Sequence, residues 1–307
     1  MRVGLDLGGS KLEVVVCDLD AEAGRCDILL REREATHQEE GYEAIVARTA
    51  ALLERTCRKQ SLDIARVPIG VGMPGGVERR SGAIKNSNTT CLNGRPFRSD
   101  LERAVGRPLG FENDANCFAL AEATFGAARP YREGLVFGVI MGTGVGGGLV
   151  MSGRVWSGPQ GLAGEWGHHG VFAGRPDARA CYCGQRGCLE AYASGPAVER
   201  HFLELAGERK SATEIAALAA SGNRHAEEAI ESLVAAFGRG LANVIDICDP
   251  TAIVLGGGLS RLDLLYGAGR DEVARRVFND ELTTPIVRPA LGDSAGVIGA
   301  ALVAISP

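Results

Sequence analysis

The stretch Gly4–Lys11, GLDLGGSK, has a counterpart far along the chain in Val139–Gly148, VIMGTGVGGG. Each reads as an apolar strand that runs into a glycine turn carrying a hydroxyl, Ser10 in one and Thr143 in the other. A returning apolar strand follows each turn, Leu12–Cys17 after the first and Leu149–Met151 after the second. Two copies of one strand, turn and strand unit predict two related lobes. A chain of 307 residues has room for both, each with its own core.

Outward from these units, further strands are expected near Asp27–Arg31, Pro68–Met73, Leu109–Glu112, Ala252–Leu255 and Ile286–Arg288. Apolar residues at helical spacing predict helices over Tyr42–Cys57, Ser99–Val105, Ala115–Phe125, Ala191–Leu205, Ala212–Ala220, His225–Ile247 and Gly296–Ile305. Strands alternating with helices mean an α/β fold. No linker or low-complexity segment marks a boundary, so it is set near Asn116. The expected division is an N-terminal lobe of residues 1–116, completed by a C-terminal helix in 294–307, and a C-terminal lobe of residues 117–293.

No apolar run approaches the roughly 20 residues needed to span a bilayer, so no membrane partner is expected. The N-terminus turns polar and glycine-rich after a few residues, unlike a secretory signal, and a cytoplasmic location is expected. A net charge of −5 and the lack of a basic run with interleaved aromatics argue against nucleic acid. Cys17, Cys26, Cys57, Cys91, Cys117 and Cys248 stand singly in apolar or helical stretches, which suits reduced interior thiols better than disulfides.

Three glycine turns follow apolar strands: Gly8-Gly9-Ser10-Lys11, Gly142-Thr143-Gly144 and Gly256-Gly257-Gly258. Glycines there let several backbone N–H groups converge on a polyanion, and a hydroxyl or lysine adds donors. Any one of them alone would pass for a tight hairpin. None matches G-x-x-x-x-G-K-[ST], and the first leads into a strand, which the dinucleotide fingerprint does not. Asp6, two residues before the first turn, sits where a carboxylate could hold a hydrated magnesium ion against phosphates.

Phosphoryl transfer to an alcohol needs a group that takes the alcohol's proton. Asp114, in Asn113-Asp114-Ala115-Asn116, lies where a strand gives way to a helix whose dipole favours an ionised carboxylate. A purely structural N-cap is the ordinary alternative. Asn113 and the upstream Asn86, Asn88 and Asn93 offer amides suited to sugar hydroxyls, although loop asparagines also form turns.

The segment Gly164–Glu190 gathers Glu165, His168, His169, Cys181, Cys183, Cys188 and Glu190. Cys-x-Cys-x4-Cys suits a zinc knuckle short of one ligand, with His168 the natural fourth and His169 its competitor. Three cysteines and one histidine make a closed, structural site. Clipping His168 to the cysteines would also bring Glu165 and Glu190 together, and its second ring nitrogen could bond a substrate hydroxyl.

Together these residues resemble the ROK family of sugar kinases and sugar-responsive repressors, whose signature combines D-x-G-G-[ST]-K, N-D-A-N, G-T-G-x-G-G-G, E-x-G-H and C-x-C-G-x-x-G-C-x-E. They stand here at Asp6–Lys11, Asn113–Asn116, Gly142–Gly148, Glu165–His168 and Cys181–Glu190, and the similarity extends through Leu255–Ser260 and Gly292–Ala301. The resemblance implies an α/β, two-lobed actin-like (ribonuclease H-like) sugar kinase fold with a structural zinc site in the C-terminal lobe. It implies ATP and Mg²⁺, and transfer of the γ-phosphate to a hexose hydroxyl, usually on carbon 6. Asp114 is then the base, and Glu165, His168 and Glu190 hold the sugar together with Asn88, Asn113 and Asp114. Asp6, Gly8, Gly9, Ser10, Lys11, Gly142, Thr143, Gly144, Gly256 and Gly257 hold the nucleotide and its metal, while His168, Cys181, Cys183 and Cys188 bind Zn²⁺. A homodimer is implied as well.

Lys85–Phe97 (KNSNTTCLNGRPF), GEWGH and CYCGQRGC look most like the bacterial fructokinase/mannokinase branch, so fructose is the expected sugar, with mannose or glucose beside it. N-acetylglucosamine or N-acetylmannosamine is the alternative, because N-acetylglucosamine kinases share NDANCFALAEA and GTGVGGGLV. Ser10 replaces the family's usual threonine, Cys91 stands where fructokinases often carry tryptophan, and His169–Ala180 is compact. A ROK-type repressor would carry a DNA-binding helix-turn-helix ahead of this fold, whereas the first strand here starts at Met1. A chaperone or filament protein of the same superfold would have no use for the zinc clip.

Overall fold

The computed structural model describes residues 1–78 and 80–306. The chain opens with strands β1 (Arg2–Leu7), β2 (Lys11–Asp20) and β3 (Arg25–Ala35), helix α1 (Tyr42–Lys59), and strands β4 (Ile69–Met73), β5 (Gly76–Val77) and β6 (Ile84–Lys85). Helix α2 (Phe97–Val105), strand β7 (Gly110–Asn113) and helix α3 (Asp114–Phe125) follow. Next come strands β8 (Leu135–Met141), β9 (Val145–Met151) and β10 (Arg154–Val155), then helices α4 (Glu190–Ala193), α5 (Gly195–Ala206), α6 (Ala212–Ala220) and α7 (Arg224–Cys248). Strand β11 (Ala252–Gly256), helix α8 (Ala268–Ala274), strand β12 (Ile286–Val287) and helix α9 (Ala295–Leu302) complete it.

The two glycine-turn units do seed two sheets of one design. One has the order β3-β2-β1-β4-β7 and the other β10-β9-β8-β11-β12. In the first, β1 runs antiparallel to β2 and parallel to β4, and β4 runs parallel to β7. In the second, β8 is parallel to β11 and β11 to β12. A strand covered on both faces of its sheet needs apolar residues on both, whichever way its neighbours run. In β2, Val14 and Val16 join the core that also contains Ile45, Leu52 and Leu53 of α1, while Val15 and Cys17 point the other way, onto Val297 and Ala301 of α9. That is the period of two expected of a strand buried on both sides.

The chain divides into two compact units: Met1–Arg132, Gly148–Ala163 and Ala290 onward form the first, and Glu133–Gly147 with Gly164–Pro289 the second. The first unit therefore runs past the expected boundary at Asn116 and keeps α3 whole. The reason is backbone contact between α3 and α9, since a Cβ on Gly299 would lie 1.9 Å from the carbonyl oxygen of Cys117. Pro307, the last residue of the expected C-terminal segment, lies outside the described residues.

Three local expectations change. The second returning strand begins at Val145, four residues before Leu149, so Gly146, Gly147 and Gly148 are strand residues. Gly148 is required there by crowding, because its Cβ would stand 2.5 Å from the Ala115 carbonyl oxygen. The helix expected over Ala191–Leu205 is broken at Ser194, whose extended backbone and side-chain bond to Ala197 N–H start α5 afresh. The break frees Gly195 N–H to donate to Gly142 O at 2.8 Å. Cys17 and Cys26, read as isolated, are neighbours on the paired strands β2 and β3, and all nine cysteines are free thiols. Among the described residues no helix is long and apolar enough to cross a membrane.

Candidate functional site

In the first unit, Asp6 is the penultimate residue of β1, paired across the sheet with Glu13 of β2 and with Gly72 of β4. The turn after it is closed by Gly8 N–H donating to Lys11 O at 2.9 Å, and Thr36 Oγ1 donates to Gly8 O at 2.7 Å. The Lys11 ammonium sits 3.2 Å from Glu13, a fully buried carboxylate that also accepts from Arg33 at 2.7 Å. The lysine expected at the phosphates is thus ion-paired within the sheet.

Burial is the largest cause pushing the Asp6 carboxyl up to about 7, the negative charges of Asp114 and Glu13 add to it, and Lys11 opposes them. A carboxylate crowded by carboxylates is relieved by a proton or by a cation, so Asp6 fits the magnesium role on chemical grounds. For stability the sign is definite. A folded-state value above the ordinary carboxylate value near 4 means a contribution that is complete below about pH 4 and is lost as pH rises through about 7. The metal-free protein is therefore expected to lose melting temperature between pH 5 and pH 8 with a slope that Asp6→Asn reduces, as read by thermal unfolding. Equal slopes in the two proteins would count against this.

The loop asparagines separate by their contacts. Asn93 gives both ends of its amide to Ser87, accepting from its N–H and donating to its carbonyl, and Asn86 takes a left-handed conformation at φ 58°. Both are turn formers. Asn88 is exposed beside the first glycine turn, where a Cβ on Gly9 would lie 3.9 Å from its Oδ1.

At the start of α3 the cap is Asn113, whose Oδ1 accepts from Ala115 and Asn116 N–H while its Nδ2 donates to Gly75 O at 2.9 Å. A cap of this kind contributes about 1 kcal/mol. Asp114 is the next residue, inside the first turn, with its Oδ1 accepting from Ala115 N–H at 2.9 Å. The capping role that competed for Asp114 thus falls to its neighbour. Glu112, which sequence reasoning missed, ties this corner together: it accepts from Asn113 N–H at 2.8 Å, Asn116 Nδ2 at 2.9 Å and Ser157 Oγ at 3.2 Å.

In the second unit, the turn Gly142-Thr143-Gly144 leaves Thr143 exposed and is held by Glu190, whose Oε2 accepts from Val145 N–H at 2.8 Å. A Cβ on Gly144 would lie 2.9 Å from that same oxygen and would push the Glu190 carboxylate off the turn. A carboxylate expected at the sugar is therefore also the brace of this glycine turn. The third turn has Gly257 at φ 77° after β11 and passes into a 3-10 helix, Gly258–Arg261. Glu165 opens a short 3-10 helix, Trp166–His168, fixed to β9 by Trp166 Nε1 donating to Gly146 O at 2.7 Å.

His168, Cys181, Cys183 and Cys188 bring one donor atom each within 4.8 Å of one another. Zinc–sulfur bonds of about 2.3 Å at a tetrahedral angle place two sulfurs about 3.8 Å apart and, with a zinc–nitrogen bond of about 2.0 Å, a sulfur and a nitrogen about 3.5 Å apart. Cys183 Sγ and Cys188 Sγ are 3.7 Å apart, and Cys181 Sγ lies 3.6 Å from His168 Nδ1. The four side chains fit a tetrahedral zinc site. His169 is outside this set; its backbone carbonyl instead accepts from Leu189 N–H at 2.9 Å, which clasps the cysteine loop.

Tyr182, between the first two cysteines, carries a contact unforeseen in the sequence. Its ring packs edge-on against His168 with centroids 5.3 Å apart, and its hydroxyl lies 3.2 Å from His168 Nε2. Partial desolvation and the charges of Glu190, Cys181 and Glu165 push the phenol up to about 12. Glu165, His168, Tyr182 and Glu190 therefore share one locality.

The profile of the ROK family matches residues 2–306. The N-acetyl-D-glucosamine kinase of Haemophilus influenzae (strain 86-028NP) is 37% identical over 98% of this chain and 98% of its own. The crystal structure of the ROK hexokinase from Thermus thermophilus superposes with a TM-score of 0.83 at 35% identity, over 99% of this chain and 97% of that one. A ROK family glucokinase from Streptomyces griseus, in complex with glucose and AMPPNP, gives a TM-score of 0.77 at 29% identity, over 99% and 98% of the two chains.

Proposed function

This chain belongs to the ROK family, and from that premise we propose that it is an ATP-dependent kinase of N-acetyl-D-glucosamine, forming the 6-phosphate. The observation that carries the choice of sugar is the end-to-end similarity to an N-acetyl-D-glucosamine kinase. It moves the proposal from fructose, which the loop Lys85–Phe97 suggested, to the N-acetylhexosamine alternative. An unsubstituted hexose is the second reading, favoured by the match to a ROK hexokinase. A homodimer is carried over as part of the proposal.

In the proposed mechanism Asp114 accepts the proton of the sugar 6-hydroxyl on its carboxylate as that oxygen bonds to the γ-phosphorus and the bond to the β-phosphate breaks, releasing ADP. Asn88, Asn113, Glu165, His168 and Glu190 hold the sugar hydroxyls. The turns Gly8–Lys11, Gly142–Gly144 and Gly256–Gly257 present backbone N–H groups, with the Ser10 and Thr143 hydroxyls, to the phosphates. Asp6 would hold Mg²⁺, which supplies neutralisation of phosphate charge when bound. His168, Cys181, Cys183 and Cys188 would hold Zn²⁺ as a structural ion that fixes the His168 ring.

A coupled ADP-release assay across N-acetylglucosamine, N-acetylmannosamine, glucose, mannose and fructose tests this. The expected result is a kcat/KM for N-acetylglucosamine at least about tenfold above that for glucose, the scale on which a pocket distinguishes substituents. A preference for fructose would restore the first reading of the sugar. No turnover with any of them would favour a sugar-binding regulator instead.

A further inference from the structure

The hydroxyl of Tyr182 stands at the one His168 nitrogen that the metal set leaves available. His168 Nδ1 faces the thiols, 3.6 Å from Cys181 Sγ, so a metal held there takes that nitrogen. The other nitrogen, Nε2, then carries the ring's single proton and can only donate. At 3.2 Å from Nε2, the Tyr182 oxygen is the acceptor of that one N–H. A sugar hydroxyl held by His168 would need the same proton. A single N–H gives one strong hydrogen bond, so the two oxygens compete for it.

The rest of the side chain suits a displaceable occupant. Tyr182 is 76% exposed, so moving its ring uncovers little apolar surface. Its backbone belongs to a loop tied by Cys181 N–H donating to Gln185 O at 2.9 Å, so rotation about the side-chain bonds leaves the ligand loop in place. The edge-on contact with His168, ring centroids 5.3 Å apart, steers the hydroxyl to Nε2 in the absence of sugar.

We propose that Tyr182 is an internal stand-in for a sugar hydroxyl, which occupies His168 Nε2–H in the ligand-free protein and must leave it when the sugar binds. This rests on the assignment of His168 to the sugar made above. Tyr182 thereby sets sugar affinity without taking part in phosphoryl transfer. Its hydroxyl weakens binding of every sugar that uses this N–H, while the ring keeps His168 oriented in the empty site.

Tyr182→Phe separates these roles, since it removes the oxygen and keeps the ring. The expected result is a sugar Kd, measured by calorimetry on zinc-loaded protein without nucleotide, about three- to tenfold lower than in the wild type, the worth of one neutral hydrogen bond. KM for the sugar should fall in parallel with kcat unchanged, and zinc content should stay the same. An unchanged Kd would overturn the proposal, and a raised Kd would overturn it too by making Tyr182 a direct sugar ligand. Wild-type turnover in the same experiment distinguishes the two levels: a wild type that phosphorylates no sugar sinks the kinase assignment and this proposal together, whereas normal turnover with no change in Kd sinks this proposal alone.

Discussion

Replacing Asp114 by Asn is expected to lower kcat by at least about a hundredfold while sugar affinity stays nearly unchanged, the pattern left by removing a general base. The amide is the same shape and can still accept the Ala115 N–H that Asp114 Oδ1 accepts now. The helix keeps its start, because the cap is the side chain of Asn113. What the variant loses is the ability to take a proton and one negative charge. The second loss has its own signature, since Asp114 is one of the charges that raise Asp6. In Asp114→Asn the pH-dependent loss of stability assigned to Asp6 should therefore move to lower pH. Single-turnover rates and thermal unfolding across pH check the two halves. Near-normal turnover would remove Asp114 from the mechanism.

Cys183→Ser is expected to lose the zinc and, with it, at least about tenfold in sugar affinity, the range seen when support for a metal site is removed. Cys183 is exposed, so the substitution leaves no cavity. Its sulfur is nonetheless one of four donors clustered within 4.8 Å, and a closed tetrahedral site does not hold with three. Without the ion, the His168 ring is left to its weaker contacts with the Tyr182 hydroxyl and the Cys181 thiol and to the backbone of a single 3-10 turn. Glu190 should be less affected, because Val145 N–H fixes it independently. Elemental analysis and sugar calorimetry are the measurements, with Cys248→Ser, outside the cluster, as the control that keeps both. Stoichiometric zinc in Cys183→Ser would rule out the clip.

The parts of this protein that were legible in the sequence are those whose partners lie close along the chain. Cys181, Cys183 and Cys188 fall within eight positions, so their spacing alone suggests a ligand loop, and the donor cluster includes them all. The two glycine turns are legible because a strand, a tight turn and a return strand are a local pattern, and they do seed two sheets of like order. Where glycine has another cause, the pattern misleads. Gly146–Gly148 looked like turn residues and are strand, and two of the glycines answer to neighbours, Gly148 to the α3 backbone at Ala115 and Gly147 to the Phe137 ring.

Roles that depend on how the backbone packs could not be read from spacing. Glu122 looks like an ordinary charged residue of α3, yet it is fully buried and accepts the N–H groups of Ala290 and Leu291 some 168 positions away. Lys11 looks like a phosphate ligand beside its turn, and the sheet pairs it with Glu13. Asn113 and Asp114 are interchangeable as caps on paper, and only the path from β7 into α3 gives the cap to Asn113. Tyr182 is a spacer in the motif until folding brings it against a histidine fourteen positions earlier.

By itself the amino-acid order determined the duplicated α/β plan, the cysteine loop of the donor cluster and the acidic residue at the start of α3, because short-range spacing and backbone preference decide such features. Tertiary structure alone decided which carboxylates brace the backbone, which asparagine caps the helix and which oxygen meets His168. Those outcomes turn on hydrogen-bond distances that the packed backbone sets and residue spacing does not, and a shift of one ångström is enough to make or lose them.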